Sequence, residues 1–305
     1  MTVPPSDRPP EDSGAPLPLG IAPGAAGEFR GVLRRRGCDL HYRLEGWPGP
    51  AVVLCHGAHM DLRMFDAQVA PLVAAGYRVL RWDLRGHGAS KPMGRDADVV
   101  TLTADLLAVL DATVGAPAVL LGHSYGGFVV QELYHHYPEY ATALVLVSTL
   151  CTTRPVAMHE WWRMRAQHAA AVALPRAVRA RGIGAHAAET AAARAYSEHA
   201  AAALDRDEFR SVLAGVRGAF RADPAHRIDA PLLLVRGSAD RADPGVAATA
   251  AAWARREPDC RYEVVRRAGH NVPQDRPAAF NDILLDFLAE RAPARPAGAG
   301  PGPMA

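Results

Sequence analysis

Four short apolar runs, AVVLC at 51–55, AVLL at 118–121, ALVLV at 143–147 and LLLV at 232–235, contain no polar alternation. A strand with one wet face alternates apolar and polar residues, so a run apolar at every position is buried on both faces. Such strands need helices above and below them, and the intervening sequence supplies helical patterns. FDAQVAPLVAAG closes on Gly76, TLTADLLAVLDATVG sets Leu102, Leu106, Leu107 and Leu110 on one face, and FVVQELYHHYP follows the second run. YRVLRWD and CRYEVVRR read as further strands, PAAFNDILLDFLAE as the last helix, and FRGVLRRRG with CDLHYRLEG as a hairpin turning near Gly37. The fold class this predicts is α/β, with a mostly parallel central sheet flanked by helices.

The alternation stops between residues 152 and 226, where the chain is rich in Ala and Arg, helical in pattern and without strand candidates. This stretch is expected to be a helical cap over the carboxyl ends of the strands, where open α/β sheets bind ligands. The predicted organisation is core at 30–151, cap at 152–226 and core again at 227–292. Tails at 1–29 and 293–305, rich in Pro, Gly and Ala, are expected to be disordered.

Several function classes are disfavoured at once. With Lys+Arg 34 against Asp+Glu 32, and RRR at 34–36 reading as a solvated strand face, nucleic acid is not an expected partner. The four cysteines (Cys38, Cys55, Cys151 and Cys260) form no CxxC pair and read as reduced core residues, so no metal site is expected from them. MTVPPSDRPPEDSG has prolines and charges where a signal peptide is apolar, and no long apolar segment follows. The chain is expected to be soluble and cytoplasmic, with no membrane partner and no cofactor; its oligomeric state is not legible.

The chemistry-bearing segment is LLGHSYGG at 120–127. Ser124 stands between a strand and a helix in the form G-H-S-Y-G, the setting of a nucleophile elbow, which lifts a hydroxyl above the sheet. A serine hydroxyl needs a base, and the base needs an orienting group. The candidate base is His270 in RRAGHNVPQDRP, and the candidate acid is Asp240 in VRGSADRADP, with Asp243 as its rival in the same loop. The backbone N–H groups of Ala58, in LCHGAHMD, and Tyr125 are the candidate oxyanion hole. His59 beside Ala58 is a candidate pocket residue. His56, His87 and His123 read as structural turn residues, and His135 and His136 as surface or packing residues of a helix.

In MHEWWRMR, Met158, Trp161 and Trp162 form one helical stripe. The stripe reads either as glue between cap and core or, through Trp161 and Trp162, as the wall of an apolar pocket above Ser124. Arg163 and Arg165 read as a solvated face.

LCHGAHMD, RWDLRGHGAS, LGHSYGG, VRGSAD and RRAGHNVPQDRP, in that order and spacing, resemble the α/β-hydrolase family over residues 30–151 and 227–292. The resemblance implies the α/β-hydrolase fold, a cap inserted after the sixth strand, and a triad of Ser124, Asp240 and His270. Some relatives carry the acid after the sixth strand; here that strand ends VLVST, which favours Asp240. Dehalogenases and epoxide hydrolases of this fold use an aspartate at the elbow, where this chain has Ser124. MDLRMFDAQVAPL with RWDLRGHGAS looks like 3-oxoadipate enol-lactonase and related carboxylester hydrolases. The expected function is hydrolysis of an ester, lactone or thioester of a small molecule. Cofactor-free oxygenation, C–C bond hydrolysis, lyase or cyclase chemistry on the same residues, and ligand reception without turnover, stand as alternatives.

Overall fold

Arg36 and Gly37, the latter at φ +74, turn the chain between β1 (Glu28–Arg35) and β2 (Cys38–Glu45), an antiparallel pair closed by Arg35 opposite Cys38. The computed structural model describes residues 27–94, 97–115, 117–242 and 244–294. Most of both expected tails therefore lies outside the described residues. Two of their boundaries are corrected: β1 begins at Glu28, inside the segment expected as tail. At the other end, Ala294 packs on the core and Tyr77 donates its hydroxyl to the Ala292 carbonyl at 3.1 Å.

The sheet has eight strands in the order β1-β2-β4-β3-β5-β6-β7-β8. Its remaining strands are β3 (Ala51–Cys55), β4 (Arg78–Trp82), β5 (Ala118–His123), β6 (Ala141–Val147), β7 (Leu232–Gly237) and β8 (Cys260–Val265). β2 pairs antiparallel with β4, and from β4 through β8 all pairing is parallel.

The unbroken apolar runs have the physical meaning that their pattern predicts. On β3, Val53 and Cys55 join one core while Val52 and Leu54 join the other, and all four are 0% exposed. Successive side chains point to opposite faces, so a strand between two helical layers needs apolar residues at every position. Burial stabilises by about 1.5–3 kcal/mol for each large aliphatic side chain. One face is covered by α2 (Val99–Thr113), α3 (Tyr125–His136) and α8 (Pro244–Arg256), through Leu106, Leu133 and Trp253. The other is covered by α1 (Asp66–Ala74) and α9 (Pro277–Arg291), through Leu72, Phe280 and Leu284.

Between β6 and β7 run four helices: α4 (Met158–Ala173), α5 (Arg176–Ala187), α6 (Ala191–Ala202) and α7 (Arg206–Gly218). They meet the loops at the carboxyl ends of the parallel strands. The Tyr196 hydroxyl on α6 accepts from the Asp61 N–H at 3.0 Å, in the loop after β3. Ala187 at the end of α5 accepts from the Asn271 N–H at 2.8 Å, in the loop after β8. No helix among the described residues is long and apolar enough to cross a membrane.

Candidate active site

Ser124 joins β5 to α3 with φ 49 and ψ −115, a left-handed conformation that a serine holds only when its surroundings impose it. Its N–H donates to the Val147 carbonyl at 2.9 Å, and its own carbonyl accepts from the Gly127 N–H and the Thr149 hydroxyl. The glycines around it serve close approach. A Cβ on Gly126 would lie 2.3 Å from the Cys55 carbonyl oxygen, so α3 can start only where no side chain intervenes. A Cβ on Gly57 would lie 2.5 Å from Nδ1 of His123 and 3.2 Å from Cβ of Ser124. The loop carrying Ala58 therefore abuts the elbow.

Tyr125 opens α3, where the leading N–H groups have no carbonyl one turn earlier to bond. Its side chain points away into the core and donates to the Ala97 carbonyl at 3.0 Å. The helix thus turns the positive end of its dipole toward the space above Ser124.

His270 stands in the loop after β8, 8% exposed, and its Nδ1–H donates to Oδ2 of Asp240 at 2.9 Å. The Asp240 side chain is fully buried, and its Oδ1 accepts from the Ala242 N–H at 3.0 Å. A proton fixed on Nδ1 leaves Nε2 as the basic nitrogen. Asp243, the rival acid, lies outside the described residues.

The loop behind His270 is anchored by a residue the sequence reading did not single out. Asp275, 3% exposed, accepts from the N–H groups of Gly269, Glu189 and Thr190 and from the Thr190 hydroxyl. It joins the loop preceding the base to the turn between α5 and α6. Gly269 is close by in sequence, but Glu189 and Thr190 lie 86 and 85 residues away, so no local pattern could have identified the tie between the two segments.

Of the three histidines expected to be turn residues, His56 and His87 hold loops, whereas His123 is the last residue of β5. His56 donates through Nδ1 to the Gly57 carbonyl and accepts at Nε2 from the Leu84 N–H. His87 donates to the Arg85 carbonyl and accepts from the His59 N–H. His123 donates through Nε2 to the His270 carbonyl at 3.0 Å. His59, at φ 65, stacks its ring on Phe209 of α7 at 4.5 Å, with Nε2 buried and unpartnered among the described residues. Burial first, then the neighbouring His168 and Arg179, pushes its pKa down to about 3.

The tryptophan stripe is corrected. Met158 is 71% and Trp162 56% exposed, and no residue of α4 is fully buried. The inward stripe is instead Trp161, Met164, His168, Ala171 and Val172, all half-buried at helical spacing. Adjacent residues on a helix are 100° apart, so Trp161 and Trp162 take different faces, and Arg165 covers both rings from outside. Trp161 is half-buried and Trp162 is a surface residue.

The family model described as serine aminopeptidase, S33 (Hydrolase_4) matches residues 47–277. Bifunctional epoxide hydrolase 2 of Sus scrofa is 34% identical over 120 residues, 39% of this chain and 21% of that protein. The AB hydrolase superfamily protein YfhM of Bacillus subtilis is 32% identical over 137 residues, 42% of this chain and 48% of that protein. The chain therefore spans about half or less of the length of these curated relatives. The enol-lactonase from Burkholderia xenovorans LB400 superposes with a TM-score of 0.69 over 85% of this chain and 100% of its own, at 24% identity, a likeness of fold.

Proposed function

The chain belongs to the serine aminopeptidase S33 family of α/β-hydrolases, and from that premise we propose that it is a serine hydrolase of small-molecule esters, lactones or thioesters. The observation carrying this reading is the 2.9 Å bond from His270 Nδ1–H to the buried Asp240, beside an elbow that holds Ser124 at φ 49.

In this reading Ser124 Oγ attacks the carbonyl carbon while His270 Nε2 takes the hydroxyl proton. The pair of electrons displaced from the C=O bond rests on oxygen, where the N–H groups of Ala58 and Tyr125 receive it. Asp240 holds the imidazole tautomer and steadies the imidazolium. Collapse of the adduct expels the alkoxide or thiolate, which takes the proton from His270. Water then enters, and His270 Nε2 takes one of its protons as its oxygen bonds to the acyl carbon. The bond from that carbon to Ser124 Oγ breaks as His270 returns the proton to Oγ, releasing the acid and restoring the enzyme. The four-helix insertion acts as a cap over this site, with His59 and Trp161 toward the substrate. The enzyme works in the cytoplasm and without a cofactor.

Epoxide opening, the activity named for one relative, requires a different nucleophile. A carboxylate opening an epoxide forms an ester that water can cleave, whereas a serine hydroxyl would form an ether that water cannot. Ser124 at the elbow therefore favours acyl chemistry. The test is intact-mass analysis after a fluorophosphonate probe, comparing the wild type with Ser124→Ala. One adduct, absent from the variant, supports the reading and directs a screen of esters, lactones and thioesters. An adduct that persists in the variant would overturn it.

A further inference from the structure

Away from the elbow, at the far end of the helix that starts at Ser124, His135 lies against the segment through which the helical insertion returns to the sheet. One ligating atom each from His135, Asp223 and His226 falls within 4.8 Å of the other two. We propose that these residues form a site for a borderline divalent transition-metal ion, zinc foremost, that ties the return segment to the last turn of α3.

The donor set selects the class of ion. Two imidazoles and one carboxylate suit zinc and its neighbours, whereas calcium and magnesium favour all-oxygen sites. Three protein ligands leave a position for water, and all three residues are half-buried, so the ion has access from solvent.

The cluster is organised before any ion arrives. Oδ1 of Asp223 accepts from the N–H groups of Ala225 and His226, each at 3.2 Å, which orients the carboxylate in the way outer partners orient metal ligands. The Asp223 N–H donates to the Thr153 carbonyl at 2.8 Å, pinning the loop to the chain leaving β6. The rings of His135 and His226 sit edge to face with centroids 4.6 Å apart.

A second, independent observation points to a ligand. Nδ1 of His135 is buried and has no hydrogen-bond partner among the described residues. An orphaned buried nitrogen is costly, and a rearranged proton or a bound ion relieves it. The nearby cation, Arg221, is neutralised by Glu132 at 2.6 Å, which lowers the repulsion that an incoming ion meets. Because the ligands join residues 135 and 223–226, the ion would close a long loop containing the entire helical insertion.

The test uses the full chain, stripped with chelator and titrated calorimetrically with zinc chloride. The expected result is one saturable equivalent, weakened by more than about 100-fold in His226→Ala, since even outer partners of a metal cost 10–100-fold. Cobalt substitution should give a visible spectrum of nitrogen and oxygen ligands, without thiolate charge transfer. Saturating zinc should raise the thermal midpoint of the wild type and leave that of His226→Ala in place. His135→Gln and Asp223→Asn repeat the comparison if His226→Ala fails to fold. Absence of saturable binding, or equal binding in all these variants, overturns the proposal; equal binding would put the ion elsewhere. None of these readouts depends on hydrolase activity.

Discussion

His123 donates its Nε2–H to the main-chain carbonyl of His270 at 3.0 Å, and the two rings meet edge to face with centroids 4.9 Å apart. The residue before the elbow serine therefore grips the residue that bonds Asp240. The buried ring of His123 thus couples the end of β5 to the loop after β8.

That ring makes stability depend on pH. His123 is 1% exposed, and burial, reinforced by the charge of His270, pushes its pKa down to about 3 from an ordinary 6.5. In the unfolded chain it takes up a proton near 6.5, but in the folded chain only near 3. Between those values the unfolded state binds more protons, so folding stability falls as pH falls, by about 1.4 kcal/mol per pH unit for this ring. Above 6.5 its contribution is complete. Urea midpoints between about pH 7 and about pH 5 should decline in the wild type and decline less steeply in His123→Gln. Equal slopes would show that the folded protein admits the proton.

Ser124→Ala should reduce the turnover number by roughly 10⁴-fold or more, the scale seen when triad members are removed, with the circular dichroism spectrum unchanged. Replacing the serine removes the nucleophile and leaves the backbone that holds it. Turnover that survives with the fold intact would move the chemistry to the His270–Asp240 pair alone.

Asp240→Asn tests the orienting role. An amide in place of the carboxylate can present its NH₂ to Nδ1, which then carries the lone pair and leaves the proton on Nε2, the wrong tautomer for a base. The expected loss is about 10⁴-fold in the turnover number, with little change in the Michaelis constant. A loss below tenfold would mean that another group orients His270.

Asp275→Asn should weaken the anchor between the His270 loop and the turn joining α5 to α6. Four donors converge on this carboxylate, and an amide would oppose some of them with its own N–H groups. Hydrogen bonds to a charged group contribute about 1.5–3 kcal/mol each, so thermal unfolding should shift down by several degrees. Displacement of the base by a fraction of an ångström should lower the turnover number roughly 10–100-fold. A drop in stability with turnover intact would reduce Asp275 to a purely structural tie.

Two glycines make a paired test of the elbow. At Gly126 an added methyl would meet the backbone oxygens of Cys55 and His56 at 2.3 and 2.5 Å, and neither can move aside. Gly126→Ala should cost about 3 kcal/mol or more, read as loss of soluble protein or a lowered urea midpoint. Gly182, inside α5, has nothing within 4 Å of such a methyl. Gly182→Ala should stabilise by about 0.5–1 kcal/mol. Equal effects at the two positions would mean that the approach of α3 to β3 is not tight.

Much of this molecule can be read locally. AVVLC occupies β3 from end to end because a doubly covered strand needs apolar residues at every position. The Asp240–His270 bond joins two residues that the order of motifs already paired. Less legible was the orientation of α4. Met158, Trp161 and Trp162 share an arc of helix, yet which part faces inward depends on α7, through contacts such as His168 to Arg217 at 2.8 Å.

The sequence by itself determined the strands, the alternating helices and the strained turn at Ser124, because these follow from side-chain periodicity and from glycine at sites of close backbone approach. Only the tertiary structure decided that Asp275 binds the turn at 189–190, that His123 grips His270, and that His135 meets Asp223 and His226. These contacts join residues far apart along the chain. Hydrogen-bond and metal-ligand geometry depends on distances of an ångström or less, and those distances exist only once the sheet and its helical insertion have packed.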